Sequence, residues 1–131
     1  MIDYKLNEPV PVEDVIDLYR KSGLPRPIDD AARMEQMYAG SDIVVSAWED
    51  GRLVGVARSI CDGVWSCYLA DLAVHPDMQR SGVGRRLIEM TREAAGDGSM
   101  VLLLSVPDAM EYYPNIGMSK VENGFIFNRK Y

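Results

Sequence analysis

Gln79-Arg80-Ser81-Gly82-Val83-Gly84 decides the reading of this chain. It follows an apolar run, Tyr68-Leu69-Ala70-Asp71-Leu72-Ala73-Val74, and the turn His75-Pro76-Asp77. Val83, Leu87, Met90, Thr91 and Ala94 then recur at helical spacing. The pattern predicts a strand, a turn, and a helix that opens on a glycine-bearing loop. The first turn of a helix has N–H groups without intrahelical partners, and glycines let a ligand approach the backbone closely. Together they make an anion site. Ser81 can cap the helix. Arg80, Arg85 and Arg86 crowd its positive end, where a purely structural helix favours Asp or Glu. A bound anion would neutralise that cluster. No Lys followed by Ser or Thr comes after the second glycine, so this is not a Walker loop, and the dinucleotide fingerprint is absent because the Gly-x-Gly pair comes last.

Around this loop the chain alternates between strand and helix signals. Ile2 to Leu6 reads as a short strand. Pro11 to Lys21 reads as a helix, with Pro11 in its first turn, Glu13 and Asp14 at its positive end, and Gly23 as its stop. After Leu24-Pro25-Arg26-Pro27, Asp29 or Asp30 can cap a second helix to about Ala39. Asp42 to Trp48 and Leu53 to Ile60 flank Asp50-Gly51, a hairpin signal. Val64 to Val74 is long for a strand, which predicts a bulge. Met100 to Val106 reads as a buried central strand. Asp108 can cap a short helix through Ile116. Met118 to Glu122 and Phe125 to Lys130 flank Asn123-Gly124, a second hairpin signal. The expectation is a mixed, mostly antiparallel sheet of about seven strands with about four helices.

With 131 residues, 47% apolar and 26% charged, the chain fits one globular domain over 1–131. The formal net charge of −6 disfavours duplex nucleic acid. No apolar stretch approaches a membrane span, and Met1-Ile2-Asp3-Tyr4-Lys5 lacks the layout of a signal peptide. A cytoplasmic protein with neither nucleic-acid nor membrane partners is the expectation. Cys61 and Cys67 are too few for a disulfide framework or a zinc site, so they read as buried free thiols and no metal is expected.

Two segments carry a family resemblance. Leu72-Ala73-Val74-His75-Pro76, followed by Gln79-Arg80-Ser81-Gly82-Val83-Gly84, resembles the acyl-CoA-binding motif of the GCN5-related N-acetyltransferase (GNAT) superfamily. Tyr112-Tyr113-Pro114-Asn115-Ile116-Gly117-Met118 resembles that family's aromatic-Tyr-x-x-x-Gly-Phe block, with Met118 in place of Phe. The element order also fits, over essentially the whole chain. The resemblance implies a sheet splayed at its central pair, with acetyl-CoA as cosubstrate. It implies acetyl transfer to a primary amine, on a small molecule or a peptide, by direct attack in a ternary complex.

Carried over by residue, the resemblance has the backbone of Leu72, Ala73 and Val74 hold the pantetheine arm. Gln79, Arg80, Ser81, Gly82, Val83, Gly84 and Arg85 bind the pyrophosphate, and Asn115 either bonds the arm or sits in a turn. Tyr113 is the candidate general acid for the leaving thiolate, with Tyr112 packing beside it. A backbone N–H near Leu72 or Ala73 is the candidate oxyanion donor. Asp71 interrupts an apolar strand, and three roles stay open: a base for the amine, a carboxylate that bonds a bulged backbone, or one that binds the substrate ammonium. His75 reads as structural and Glu111 as solvated. The family's acceptor region corresponds to Tyr19 to Asp30 and the final hairpin, with Trp48 and Trp65 as candidate wall residues. A homodimer stays open, as does a non-catalytic acyl-CoA sensor of the same fold.

Overall fold

A computed structural model describes residues 1–131. The elements run β1 (Asp3–Leu6), α1 (Val12–Ser22), α2 (Ala31–Ala39), β2 (Ile43–Glu49), β3 (Arg52–Cys61), β4 (Ser66–Val74), α3 (Val83–Ala95), β5 (Met100–Leu102) and α4 (Tyr112–Asn115). One sheet holds them in the order β1-β2-β3-β4-β5. Its first three pairings are antiparallel and β4–β5 is parallel.

Local signals explain most boundaries. Gly23 closes α1 in the left-handed conformation at φ 79°, where a side chain would be strained. Asp30 caps α2 by accepting from the Arg33 N–H. Asp50 (φ 51°) and Gly51 (φ 79°) both take the positive φ that a tight hairpin between β2 and β3 needs.

Helices cover both sheet faces, so there are two apolar layers. Val45, Ala47, Val54, Ala57 and Cys67 meet Val83 and Leu87 of α3 on one face. Val56 and Ala73 meet Val15, Leu18 and Tyr19 of α1 and Met34 of α2 on the other. Burying each such Leu or Val contributes about 1.5–3 kcal/mol. Gly55 lets α3 lie close to β3: a Cβ there would sit 3.0 Å from both Leu87 Cδ1 and Val83 Cγ1.

The expected bulge is present, and it matters. Arg58 faces Asp71 while Ser59 faces Leu69, so Ala70 is the extra residue on β4. In an unbroken strand Cys67, Asp71 and Ala73 would share a face. The one-residue slip instead leaves Cys67 under α3 and turns Asp71 and Ala73 toward α1.

Four expectations need correction. The sheet has five strands rather than seven. The strand expected from Met100 to Val106 is an edge strand that stops at Leu102, because β5 parts from β4 after the Tyr68–Leu102 pair. The expected final hairpin is absent: Gly124 lacks the positive φ of a tight turn, as does Asn123, and residues 119–131 form no strand. Cys61 and Cys67 are not free thiols but are disulfide-bonded. The β3–β4 register sets them directly opposite one another across the Asp62-Gly63 turn.

Candidate active site

Where β4 and β5 part, a cleft of about 930 Å³ opens. Its walls are β4 from Leu69 to Val74, the glycine loop, the segment after β5, and the tyrosines of α4. Beyond Tyr68 no residue of β4 pairs with β5, so the backbone groups of Leu72, Ala73 and Val74 that turn away from β3 face this gap. Unpaired strand groups beside a cavity invite a ligand that supplies its own amides.

The glycine loop closes one end. The N–H groups of Arg80, Gly82, Val83, Gly84 and Arg85 donate to no protein acceptor, and the first helical bond runs from Arg86 to the Gly82 carbonyl. Ser81 does not cap α3, contrary to expectation: its hydroxyl donates instead to the Met78 carbonyl, and Gly82 stands at the cap with φ 91° and no side-chain partner. The helix mouth is therefore open. Gln79 donates from Nε2 to the Val74 carbonyl, tying the loop to β4. The expected arginine cluster is divided. Arg85 and Arg86 lean along the helix toward Glu89 and Glu93, whereas Arg80 forms no ion pair and holds a positive φ of 69°.

Opposite the loop stand Tyr112 and Tyr113, edge to face at 5.2 Å between ring centroids. Gly84 makes room for Tyr112, since a Cβ there would come within 3.0 Å of its hydroxyl oxygen. Burial raises the pKa of Tyr113, and the neighbouring Tyr112 adds to the shift. Burial likewise raises that of Tyr112, against the pull of Arg85. Both phenols therefore keep their protons at neutral pH, as a proton donor must.

Asp71 lies under the bulge, with none of its side chain exposed. Its Oδ1 accepts from Arg26 Nε at 2.6 Å. Its Oδ2 accepts from Arg58 Nε at 2.8 Å and from the Tyr19 hydroxyl at 2.7 Å. Because the Tyr19 proton goes to Asp71, the Tyr38 hydroxyl donates to Tyr19, at 2.6 Å. Burial by itself would raise the Asp71 pKa. The bond and charge of Arg58, the Tyr19 bond and the charge of Arg26 outweigh it, and the carboxyl sits below its usual range. Of the roles open to Asp71, the geometry supports the structural one: both its oxygens accept from protein donors and it does not line the cleft. Arg26 does line it, and its Nη2 also bonds the Ala70 carbonyl at the bulge.

Of the other expected residues, Leu72, Ala73, Val74, Gln79, Arg80, Gly82, Gly84, Arg85 and Tyr113 all line the cleft. Val83 turns its side chain into the core, Ser81 is exposed on the loop, and Asn115 is exposed on α4 away from the lining. His75 accepts the Asp77 N–H and caps a short turn. Trp48 packs under Lys5 and Trp65 is largely exposed, so neither forms a wall. Sequence reasoning missed Asp108, the single carboxylate on the lining, which caps no helix. It also missed Arg58, Tyr19 and Tyr38. Their signal was an Arg and an Asp set singly into two adjacent apolar strands.

The family model described as an acetyltransferase (GNAT) domain matches residues 19–129, and the chain belongs to that family. It is 30% identical over 92 residues to an uncharacterized N-acetyltransferase, ycf52, of Pyropia yezoensis, covering 64% of this chain and 52% of that protein. The ycf52 protein of Porphyra purpurea is 34% identical over 77 residues, covering 56% of this chain and 43% of that one. The chain thus spans about half the length of these relatives. A GNAT-family acetyltransferase of Streptococcus pneumoniae superposes with a TM-score of 0.82 at 26% identity, over 100% of both chains. The aminoglycoside N-acetyltransferase AAC(6′)-Iy, solved with CoA, superposes at 0.76 and 17% identity, over 99% of this chain and 95% of that one.

Proposed function

We propose that this protein transfers an acyl group, acetyl in the first instance, from acyl-CoA to a primary amine held in the same cleft. The observation that carries the reading is the set of unbonded N–H groups of Arg80, Gly82, Val83, Gly84 and Arg85, at the mouth of a cleft flanked by strand backbone that β5 does not pair. A diphosphate offers that row charged acceptors, each such bond contributing roughly 1.5–3 kcal/mol. The exposed Arg80 guanidinium adds an unpaired positive charge. The backbone of Leu72 to Val74 holds the amide-bearing arm. Family membership and the CoA bound by AAC(6′)-Iy support the same cosubstrate.

The thioester supplies an activated carbonyl. A backbone N–H at Leu72 or Ala73 stabilises the oxyanion that forms when the amine attacks. Tyr113 gives its proton to the departing sulfur, and the proton that the nitrogen loses as the amide forms returns to the Tyr113 phenolate through water in the open cleft. An alkylammonium, with a pKa near 10, must lose a proton before it attacks. Asp71 is engaged by three donors, so the cleft draws on the small neutral fraction of the amine, and Asp108 attracts the cation. Asp71 fixes Arg26 in the wall.

Two readouts test this. Thermal-shift titration with acetyl-CoA reads the cosubstrate, since a ligand that binds only the folded chain raises its melting point. Thiol release across an amine panel reads transfer. The expected result is a saturable rise in melting temperature and release that depends on one amine class. A melting point unmoved by millimolar acetyl-CoA contradicts the proposal, while binding without release from any amine favours the sensor.

A further inference from the structure

The buried cluster at Asp71 does not balance its charge. Two guanidinium groups, Arg26 and Arg58, share one carboxylate, and neither arginine has another ion-pair partner. Tyr19 and Tyr38 add no negative charge, because burial raises both phenols and keeps them protonated. The cluster therefore carries one excess positive charge. Arg58 is closed off: its side chain is 9% exposed, and its Nη1 donates to the Met37 carbonyl and the Ser41 hydroxyl. Arg26 is the open member, 25% exposed and on the cleft wall. The excess charge thus faces the cleft, where an anion would neutralise it.

Arg26 also has donors to spare. Nε donates to Asp71, Nη1 to the Pro25 carbonyl at 2.6 Å, and Nη2 to the Ala70 carbonyl at 2.8 Å. A guanidinium has five N–H groups, so one remains on each of Nη1 and Nη2. Those two form the fork that holds a carboxylate by two parallel bonds. The three bonds already made fix the fork in advance, so binding costs little further side-chain entropy.

CoA does not supply that anion. Gln79 ties the glycine loop to the Val74 carbonyl, while Arg26 bonds Ala70, further back along β4 by about 13 Å at 3.3 Å per residue. A diphosphate on the loop is out of reach, the arm between carries neutral amides, and the 3′-phosphate lies beyond the diphosphate. Of the charged side chains on the lining, Arg80 and Arg85 belong to the loop and the helix it opens. Arg26 and Asp108 remain for the acceptor, one of each sign.

We propose that Arg26 determines acceptor specificity, and that the acceptor is an amine bearing a carboxylate, in its simplest form an amino acid. The carboxylate seats on the Arg26 fork while Asp108 attracts the ammonium. The assignment rests on the acyl-transfer reading of this cleft.

Thiol release from acetyl-CoA with matched acceptors tests it: glycine, β-alanine, γ-aminobutyrate and lysine, each against its own carboxamide. In the short members the amide has the larger fraction of neutral amine, so the comparison leans against the expected result. The wild-type protein should favour the acid of at least one pair by about tenfold in kcat/KM, as a charged bidentate contact implies. In Arg26→Gln the same ratio should fall to about one. A ratio taken within one protein does not depend on how much of it folds. If Arg26→Gln does not fold at all, Arg26→Lys, which keeps the charge beside Asp71 but not the fork, should still cut the ratio. Acid and amide acetylated alike overturn the proposal and leave acyl transfer standing. An acid preference that survives both substitutions overturns it too. A preference for succinyl-CoA over acetyl-CoA that the substitutions abolish gives the fork to the acyl chain and overturns the acceptor assignment. No release from any amine removes acyl transfer and this proposal with it.

Discussion

Two polar centres flank the cleft, and they differ in what is left over. At Asp71 both carboxylate oxygens are engaged: two arginines and a tyrosine donate to them, and a second tyrosine bonds the first. At the glycine loop the N–H groups from Gly82 to Arg85 have no partner at all. A satisfied buried network holds elements together, here α1, α2, β3, β4 and the loop bearing Arg26. An unsatisfied row of donors, held rigid by a helix, awaits a ligand. Both centres contain charged residues in a conspicuous setting, so residue type alone does not tell scaffold from site. The count of free donors and lone pairs does.

The largest expected effect is on the saturated side. Asp71→Ala leaves Arg58, only 9% exposed, and Arg26 without their anion. It should cost about 3–5 kcal/mol of stability by denaturant titration. If the protein loses less than about 1 kcal/mol, the network is not the scaffold described. Next is Tyr113→Phe, which should lower kcat by about a hundredfold with KM for acetyl-CoA unchanged. An unaltered kcat across the pH profile removes Tyr113 from the chemistry.

Gly84→Val tests the open side. Its side chain would run into the Tyr112 hydroxyl and crowd the loop. Calorimetry should show about tenfold weaker CoA binding, near 1.4 kcal/mol, with a smaller change in stability. Intact affinity would mean the loop does not carry the anion. The smallest effect is in pH. The Asp71 pKa is depressed on folding, so its stabilisation is fully present above the ordinary carboxylate value, about 4, and is lost as pH falls through its lower folded value. Asp71→Ala should therefore flatten the acid limb of stability below about pH 4 and leave the neutral plateau without slope.

The same contrast marks what the sequence made legible. The glycine loop lies in one contiguous stretch, so its turn, its helix and its open donors could be read from local rules. The Asp71 network draws on positions 19, 26, 38 and 58, and no local pattern joins them. Only the slip at Ala70 turns Asp71 toward α1. Ser81 had the right chemistry for a cap, but the positive φ of Gly82 carries the chain past it. Cys61 and Cys67 lie symmetrically about Val64, a hairpin cue that a simple count of cysteines overlooks. Asn123-Gly124 shows the limit of turn propensity: a two-stranded hairpin without a sheet beside it is marginal, so the dipeptide does not fold the chain alone.

One measurement reaches the central claim most directly: the amide resonances of the ¹⁵N-labelled chain during titration with CoA. Large, saturable shifts are expected at Arg80, Gly82, Val83, Gly84 and Arg85, with the Asp71 amide and the Tyr19 and Arg58 signals unmoved. Shifts that spare the loop, or none at millimolar CoA, would contradict it.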